Sequence, residues 1–406
     1  MGVNMVNRKI HLFALPINNT YVLTTEKFRT HIKDEVKKKG GNLLLDHLQI
    51  ERRHFSRFIK GKKCSLYLLF KIYNNIGIDI EFLEKNVTKI VSGKNGSLGI
   101  ENPKLPFLLD NKYGGTLLGG VMGDGSLGKS GHFIYGNKSK ILINNILNAA
   151  KNIFGDVDYG IYTRDYEQYD FIQINLPIVI GDVAYLLGVK RSYKILSDCY
   201  IELSEFSDEF NIHFIKQFFD DEGNVRRKDR RLQVKQVRKL NEFSKEKIRE
   251  NPYSFAPKIL LQIKNSLNRF GIQSTISLEY IRHHGGMIKG DFALNIYGKE
   301  NLENFEKIIN FNLVYKRNLL REVIKSYKFP SAPRNGRLQF AISKARTVEN
   351  NHGHITKHLL AKECKRSLKT ATYFLVDMKK KGLVKVVEEP RTELGHPLPK
   401  KYSLIQ

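Results

Sequence analysis

At 406 residues the chain is long enough for several domains, and one undivided core is unusual at that size. Its 41% hydrophobic and 27% charged residues belong to a globular protein, and no apolar run approaches the roughly 18–20 residues of a membrane span. Lys plus Arg number 68 against 41 acids, a formal net charge of +27. An excess of that size draws polyanions, and nucleic acid is expected before a membrane surface, because no strongly amphipathic basic helix with aromatic anchors is present.

The excess is uneven. Residues 1–100 hold 18 basic against 8 acidic side chains, and residues 335–406 hold 15 against 6. The two flanks are therefore the expected polyanion-binding regions. Cys64, Cys199 and Cys364 lie far apart with no CxxC or Cys/His spacing, so neither a disulfide framework nor a zinc site is expected. Met1 to Leu12 lacks an apolar run with a small-residue cleavage site, which makes the expected location cytoplasmic, on the nucleoid.

From Glu26 to Ile78 the pattern predicts short-looped helices. Phe55, Phe58 and Ile59 recur at i, i+3 and i+4, leaving Arg52, Arg53, Ser56 and Arg57 largely on the opposite face. The Gly/Asn/Ser-rich stretch from Ser92 to Pro106 reads as a linker, and "FPSAPRNGR" at Phe329–Arg337 as a second boundary. Beyond it come two helices and a strand pair. Ile355, Leu359 and Leu360 share one apolar face, and Leu368, Ala371, Leu375 and Met378 share the next. Gly382 is placed to end that helix, and Val384 and Val386 alternate opposite Tyr402 and Leu404 as a hairpin around "PRTELGHPLPK". Lys365, Arg366, Lys369 and Tyr373 are expected on the outward face.

Between the flanks lies a repeat. "GTLLGGVMGDGSL" opens one copy at Gly115, and "FIKQFFDDEGNV" opens the other at Phe214. Each is an apolar helix ending in an acid followed by glycine. Strand-like residues come next, then a longer helix (Lys138 to Phe154, Pro257 to Phe270), more strands and a short helix. Two copies about one hundred residues apart predict two related half-domains. Gly119 and Gly123 stand at i and i+4, so one stripe of the first helix has no side chains. A helix-interior glycine costs about 1 kcal/mol relative to alanine, and a close helix contact is the expected compensation. An acid at a helix C-terminus faces the negative end of the dipole. Two such acids at one interface repel unless a cation lies between them, and hard divalent ions favour carboxylate oxygens.

These motifs resemble the LAGLIDADG homing endonucleases of the single-chain, two-motif kind, over roughly residues 110–315. The segment "LLGVKRSYKILSDCYIELS" before the second motif resembles the family's connector. Aligning "LLGGVMGDG" and "IKQFFDDEG" to the nine-residue motif places Asp124 and Glu222 at its acid position. The second motif departs from the pattern: Gln217 and Asp221 stand where the family favours small residues, and Gly119, Gly120 and Gly123 are the expected compensation. The flanks resemble a phage-repressor helix-turn-helix and a winged helix-turn-helix. The implied fold is α+β, a core of two pseudo-symmetric αββαββα halves flanked by two small DNA-binding helical domains. Its boundaries are 1–91, a linker at 92–109, a core at 110–328 (halves 110–205 and 206–328) and 336–406.

The resemblance implies a monomeric protein that binds and cuts double-stranded DNA at a specific site with Mg²⁺ or Mn²⁺. The implied metal set is Asp124, Glu222, Gly123 and Asp221, with Lys235 (placed as catalytic) and Lys129 as counterparts of the family's basic and polar pocket groups, each alternatively a phosphate contact or a surface lysine. Arg226 and Arg230 join the flanking residues named above as DNA contacts. Asp220 beside Glu222 either helps hold the metal or distorts the site. An intein needs Cys, Ser or Thr first and His-Asn near its end; Met1-Gly2 and Leu404-Ile405-Gln406 favour a freestanding protein. The family also contains non-cleaving regulators and RNA-splicing cofactors, and fold alone does not choose among them.

Overall fold

The computed structural model describes residues 9–93, 96–166, 169–191, 201–241, 243, 245–284, 286–327, 336–392 and 397–405. The fold mixes helix and strand in two compact units, Met1–Tyr297 with Asn304–Arg321, and Gly298–Glu303 with Glu322–Gln406. Among the described residues no helix is long and apolar enough to cross a membrane.

The first unit begins with strands β1 (Lys9–Ile10) and β2 (Thr20–Thr24), followed by helices α1 (Glu26–Lys38), α2 (Asn42–His47) and α3 (Arg52–Ile59). Strand β3 (Cys64–Ser65), helices α4 (Leu66–Ile76) and α5 (Ile80–Lys85), and strands β4 (Val87–Ser92), β5 (Gly99–Glu101) and β6 (Phe107–Leu108) complete the region. The helices anticipated from Glu26 onward are all present. Thr25 and Ser65 cap α1 and α4 by accepting from the backbone N–H of Phe28 and Leu68, whereas α2 and α3 start without a side-chain cap.

The strands were not anticipated, because each is short and their sheet is assembled from distant segments. Its order is β3-β2-β4-β5-β9, where β9 is Asp156–Val157. The stretch expected to be a linker thus supplies β5 and β6. Ile100 faces Ile90 on one side and Val157 on the other, and Ile100 and Phe107 are fully buried.

Helix α6 (Lys112–Met122) opens the central region, followed by β7 (Gly125–Leu127), β8 (Phe133–Asn137) and α7 (Lys140–Phe154). After β9 come β10 (Gly160–Tyr166), β11 (Tyr169–Leu176) and α8 (Ile178–Leu186). The second succession is α9 (Asp208–Glu222), β12 (Gly223–Arg226), β13 (Arg231–Lys239), the short α10 (Lys245–Glu250) and α11 (Lys258–Arg269). It ends with β14 (Ser274–His284), β15 (Met287–Tyr297) and α12 (Lys299–Ile308), after which α13 (Val314–Lys325) follows.

The two sheets have the same order, β7-β8-β11-β10 and β12-β13-β15-β14, with every neighbouring pair antiparallel. Phe133, Tyr135 and Ile174 share a buried face in the first sheet and Leu232, Val234, Leu294 and Ile296 share one in the second, where Gln233, Ala293 and Asn295 on the opposite face are buried as well. Cys64 and Cys364 are buried free thiols, whereas Cys199 and most of the connector before α9 (192–200) lie outside the described residues.

In the second unit, α14 (Arg337–His352), α15 (Lys357–Glu363) and α16 (Leu368–Lys380) precede the hairpin β16 (Val384–Glu388) and β17 (Lys401–Leu404). Val384 pairs with Leu404 and Val386 with Tyr402, as the alternation predicted. Helix α14 was not anticipated, yet its Ala341, Ala345 and Val348 enter the core with Leu360, Phe374 and Met378. Its Glu349 carboxylate accepts from the Ser403 hydroxyl and the Leu404 N–H, fastening β17. Leu368, expected inside, is exposed; the buried stripe of α16 is Ala371, Phe374, Leu375 and Met378. The boundary residues 328–335 and part of the wing, 393–396, lie outside the described residues.

Candidate active site

Helices α6 and α9 run side by side in the same direction. Asn111 caps α6 by accepting from the N–H groups of Tyr113 and Gly114, and Ser207 caps α9 by accepting from Phe210. Asp110, just before α6, accepts from the Ser207 N–H at 2.8 Å, so the two helices start together. The glycine stripe then allows their backbones to touch. A Cβ on Gly115 would lie 2.2 Å from the Phe210 carbonyl oxygen, and one on Gly119 would lie 2.5 Å from that of Phe214. No side chain fits at either place.

The residues that depart from the small-residue pattern are accommodated by this stripe. Gln217 packs against Gly119, and Asp221 occupies the space beside Gly123, where an added Cβ would lie 2.6 Å from the Cβ of Asp221. Gly120 serves a different contact: it faces Ile146 and Tyr135 of its own half. The volume on the other side comes from Phe206, just before α9, and from Phe210, Phe214 and Phe218 on it, whose rings stack successively, with the last three fully buried.

The helices end at a network of acids. Asp124 follows the α6 cap Gly123 and is exposed, and its carboxylate accepts from the Asn137 amide at 2.6 Å. The Asp221 carboxylate accepts from the Tyr135 hydroxyl at 2.7 Å, from the Gln217 amide at 3.1 Å and, more weakly, from the Asp124 N–H at 3.4 Å. Gln217 also donates to the Tyr135 oxygen. Burial, reinforced by the charge of Asp124, pushes the Asp221 carboxyl well above the usual range against those three donors. Burial and the Asp221 charge likewise raise the Tyr135 phenol. Asp221, named above in the implied metal set, is thus engaged by three donors at the interface and also lines a groove beside Asp124.

Glu222 is the last residue of α9 and is half-buried. Its neighbour Asp220, considered above for the same role, is engaged by the start of α13. The Asp220 carboxylate accepts from the N–H groups of Asn312 and Leu313, at 2.7 and 3.2 Å, and so caps the start of α13. A groove of about 780 Å³ opens beside the acids, with Asp124, Asn137, Lys138, Asn224, Tyr315 and Lys316 among its lining.

Asp124 and Glu222 are hard oxygen donors suited to a hydrated divalent ion, which commonly takes one or two carboxylates and completes its shell with water and phosphate. Among the described residues no group of three or more His, Cys, Asp or Glu side chains is arranged to hold a metal ion.

The remaining expected site residues are distributed over the molecule. Lys235 on β13 pairs with Glu279 of β14, beside a polar chain in which Gln233 donates to Glu279 at 2.7 Å and to Asn295 at 2.9 Å. Arg226 bonds Gln233 and pairs with Asp229, while Arg230 takes a left-handed conformation in the β12–β13 turn. Lys129 is exposed. On α3, Arg52, Arg53, Ser56 and Arg57 are exposed, with Arg52 paired to Asp46 and Arg53 to Glu51. Lys365, Lys369 and Tyr373 are exposed as expected. Arg366 is not: it is only 9% exposed, over the Phe340 ring, because the turn before α16 directs it inward.

Sequence reasoning missed Tyr135, Asn137 and Lys316. The first two alternate on a strand without a motif, and Lys316 lies 94 residues beyond the acid it adjoins.

Residues 209–310, from the start of α9 to just past α12, match the LAGLIDADG-like domain. The match covers the half whose motif departs from the family pattern. Over 232 residues the chain is 31% identical to the probable translation initiation factor IF-2 of Methanocaldococcus jannaschii. That alignment covers 55% of this chain and 18% of the relative, so the relative's name describes a longer protein of which the match is a small part.

Proposed function

We propose that this protein is a sequence-specific, divalent-metal-dependent double-strand DNA endonuclease of the homing type, with Asp124 and Glu222 as the metal-holding acids. The observation that carries the reading is the helix pair: α6 and α9 pack backbone to backbone through Gly115 and Gly119 and end at two acids. Two sheets of the same strand order support a pseudo-symmetric pair of αββαββα halves presented to a DNA duplex. The match to a LAGLIDADG-like domain supports a nuclease or DNA-binding role.

A divalent ion, Mg²⁺ or Mn²⁺, would activate water and stabilise the leaving oxygen in phosphodiester hydrolysis. The chain's own contribution is to aim the acids. Asn137 orients Asp124, the Tyr135 hydroxyl and the Gln217 amide hold the Asp221 carboxyl behind it, and Lys316 holds the end of α9. Lys235, Arg226 and Arg230 would face the DNA backbone on the second sheet. The α2–α3 pair would act as a helix-turn-helix, and α15, α16 and the hairpin as a winged helix, extending the contact from the basic flanks. One chain carrying both motifs would act as a monomer.

Purified protein with Mg²⁺ is expected to cut duplex DNA carrying its own insertion locus. Asp124→Asn and Glu222→Gln are each expected to stop cutting while leaving binding intact. Binding without cleavage in both Mg²⁺ and Mn²⁺ favours a second reading, a DNA-binding regulator on the same core. The presence of two basic flanking regions supports that alternative.

A further inference from the structure

An acid at the end of a helix is opposed by the carbonyl ends there, and α9 carries three in succession, Asp220, Asp221 and Glu222. The molecule offsets this with an internal cation. Lys316 of α13 is 6% exposed, and its ammonium donates to the carbonyl oxygens of Phe219 at 3.0 Å, Asp220 at 2.5 Å and Gly223 at 2.7 Å. Those carbonyls bracket Glu222, so all three ammonium hydrogens are used on the last turn that carries it. The contact is reciprocal, since the Asp220 carboxylate caps the first N–H groups of α13. Each helix thus supplies the charged cap of the other across more than ninety residues of sequence. Burial lowers the Lys316 ammonium, and the charges of Asp220, Asp221, Asp124 and Glu222 all oppose that, placing one cation within reach of the whole cluster.

We infer that Lys316 is a positioning residue for Glu222: its three bonds to the end of α9 fix the backbone from which that acid is presented. The inference rests on the metal-dependent reading above and deepens it. Lys316 has no free hydrogen to offer a substrate, so its effect passes through Glu222 and is confined to the part of the reaction that Glu222 serves. Removing it acts on one of the two acids and leaves Asp124, oriented by Asn137, in place.

The test uses the full chain as wild type, Lys316→Met, Lys316→Gln and Lys316→Arg. Mn²⁺ alone is titrated into each protein and followed by electron paramagnetic resonance. Removing an outer partner that orients a metal ligand commonly weakens binding about tenfold or more. Lys316→Met is expected to show about that loss, and Lys316→Arg to recover most of it. Lys316→Gln keeps a donor in a smaller change and substitutes for the Met variant if that one does not fold.

Equal Mn²⁺ affinity in wild type and in the folded Met or Gln variant overturns the inference while leaving the metal reading intact. A wild type that takes up no Mn²⁺ overturns both. On duplex DNA labelled separately on each strand, the variant is expected to slow one strand at least tenfold more than the other, so that nicked product accumulates. Equal slowing of both strands overturns the positioning role in favour of general loosening. If the wild type cuts neither strand, the cleavage reading fails and the Mn²⁺ titration still decides the role of Lys316.

Discussion

The two motif helices perform the same task with opposite materials. Helix α6 is thin where it meets its partner, with Gly115, Gly119 and Gly123 along one stripe, whereas α9 brings Phe210, Phe214, Gln217 and Asp221 to the same seam. Their ends differ as well. Asp124 stands just past its helix, exposed and bonded by the Asn137 amide, while Glu222 belongs to the last turn of its helix, which Lys316 clasps. Close approach therefore requires complementary surfaces, and small residues on both sides are one way among others to obtain them. Glycine opposite a bulky side chain achieves the same backbone contact and leaves room for a buried polar network.

The largest effect is expected from closing the stripe. Gly119→Ala places a methyl group against a backbone carbonyl that cannot yield without separating the helices, and overpacking of this kind costs about 1–3 kcal/mol. Gly120→Ala is the matched control. Its methyl meets the flexible end of Ile146, and the helix-propensity gain of about 1 kcal/mol offsets the shift, leaving stability near wild type. Urea titration of both variants checks the contrast, and equal losses would show that the seam is no tighter than the rest of the core.

The buried acid yields an effect of intermediate size that depends on pH. The folded protein holds the Asp221 proton to a higher pH than the unfolded chain, whose ordinary value is 3.8. Between those values the folded state binds more protons, so stability falls as pH rises through the window. Asp221→Asn removes that loss. Its melting temperature is expected to match wild type at about pH 3.5 and to exceed it by a margin that widens toward neutrality. A margin that does not change with pH would mean that Asp221 is ionised in the folded state.

The smallest structural effect belongs to the exposed end of α6. Asn137→Ala removes one hydrogen bond from Asp124, a loss of about 1 kcal/mol or less at an exposed site. Stability should barely move, while Mg²⁺-dependent cutting falls through the less well oriented acid. Comparing melting curves with cleavage rates separates the two. A change in melting without a change in rate would assign Asn137 to folding alone.

Much of the architecture was legible in the chain. The repeat, the longer helices α7 and α11, the terminal hairpin and the two acids follow from hydrophobic periodicity and from glycine and acid placement, which are local properties. Boundaries tied to distant pairing were not. The stretch 92–109 looked like a linker because its turn residues outnumber its apolar ones, and only pairing with Asp156–Val157 makes part of it a strand. Arg366 looked outward because charge usually is, until a turn and the Phe340 ring placed it inside.

By itself the sequence determined which segments become helices, that two of them end in acids and that one carries a glycine stripe, since propensity and period act over a few residues. Tertiary structure alone decided what the extra acids do. Asp220, Asp221 and Glu222 are neighbours in sequence with like charge, yet one caps α13, one is held by the Tyr135 and Gln217 donors of the interface, and one ends the helix half-buried. Successive residues of a helix point about 100° apart, and partners 86 to 97 residues away in the chain then assign each its environment.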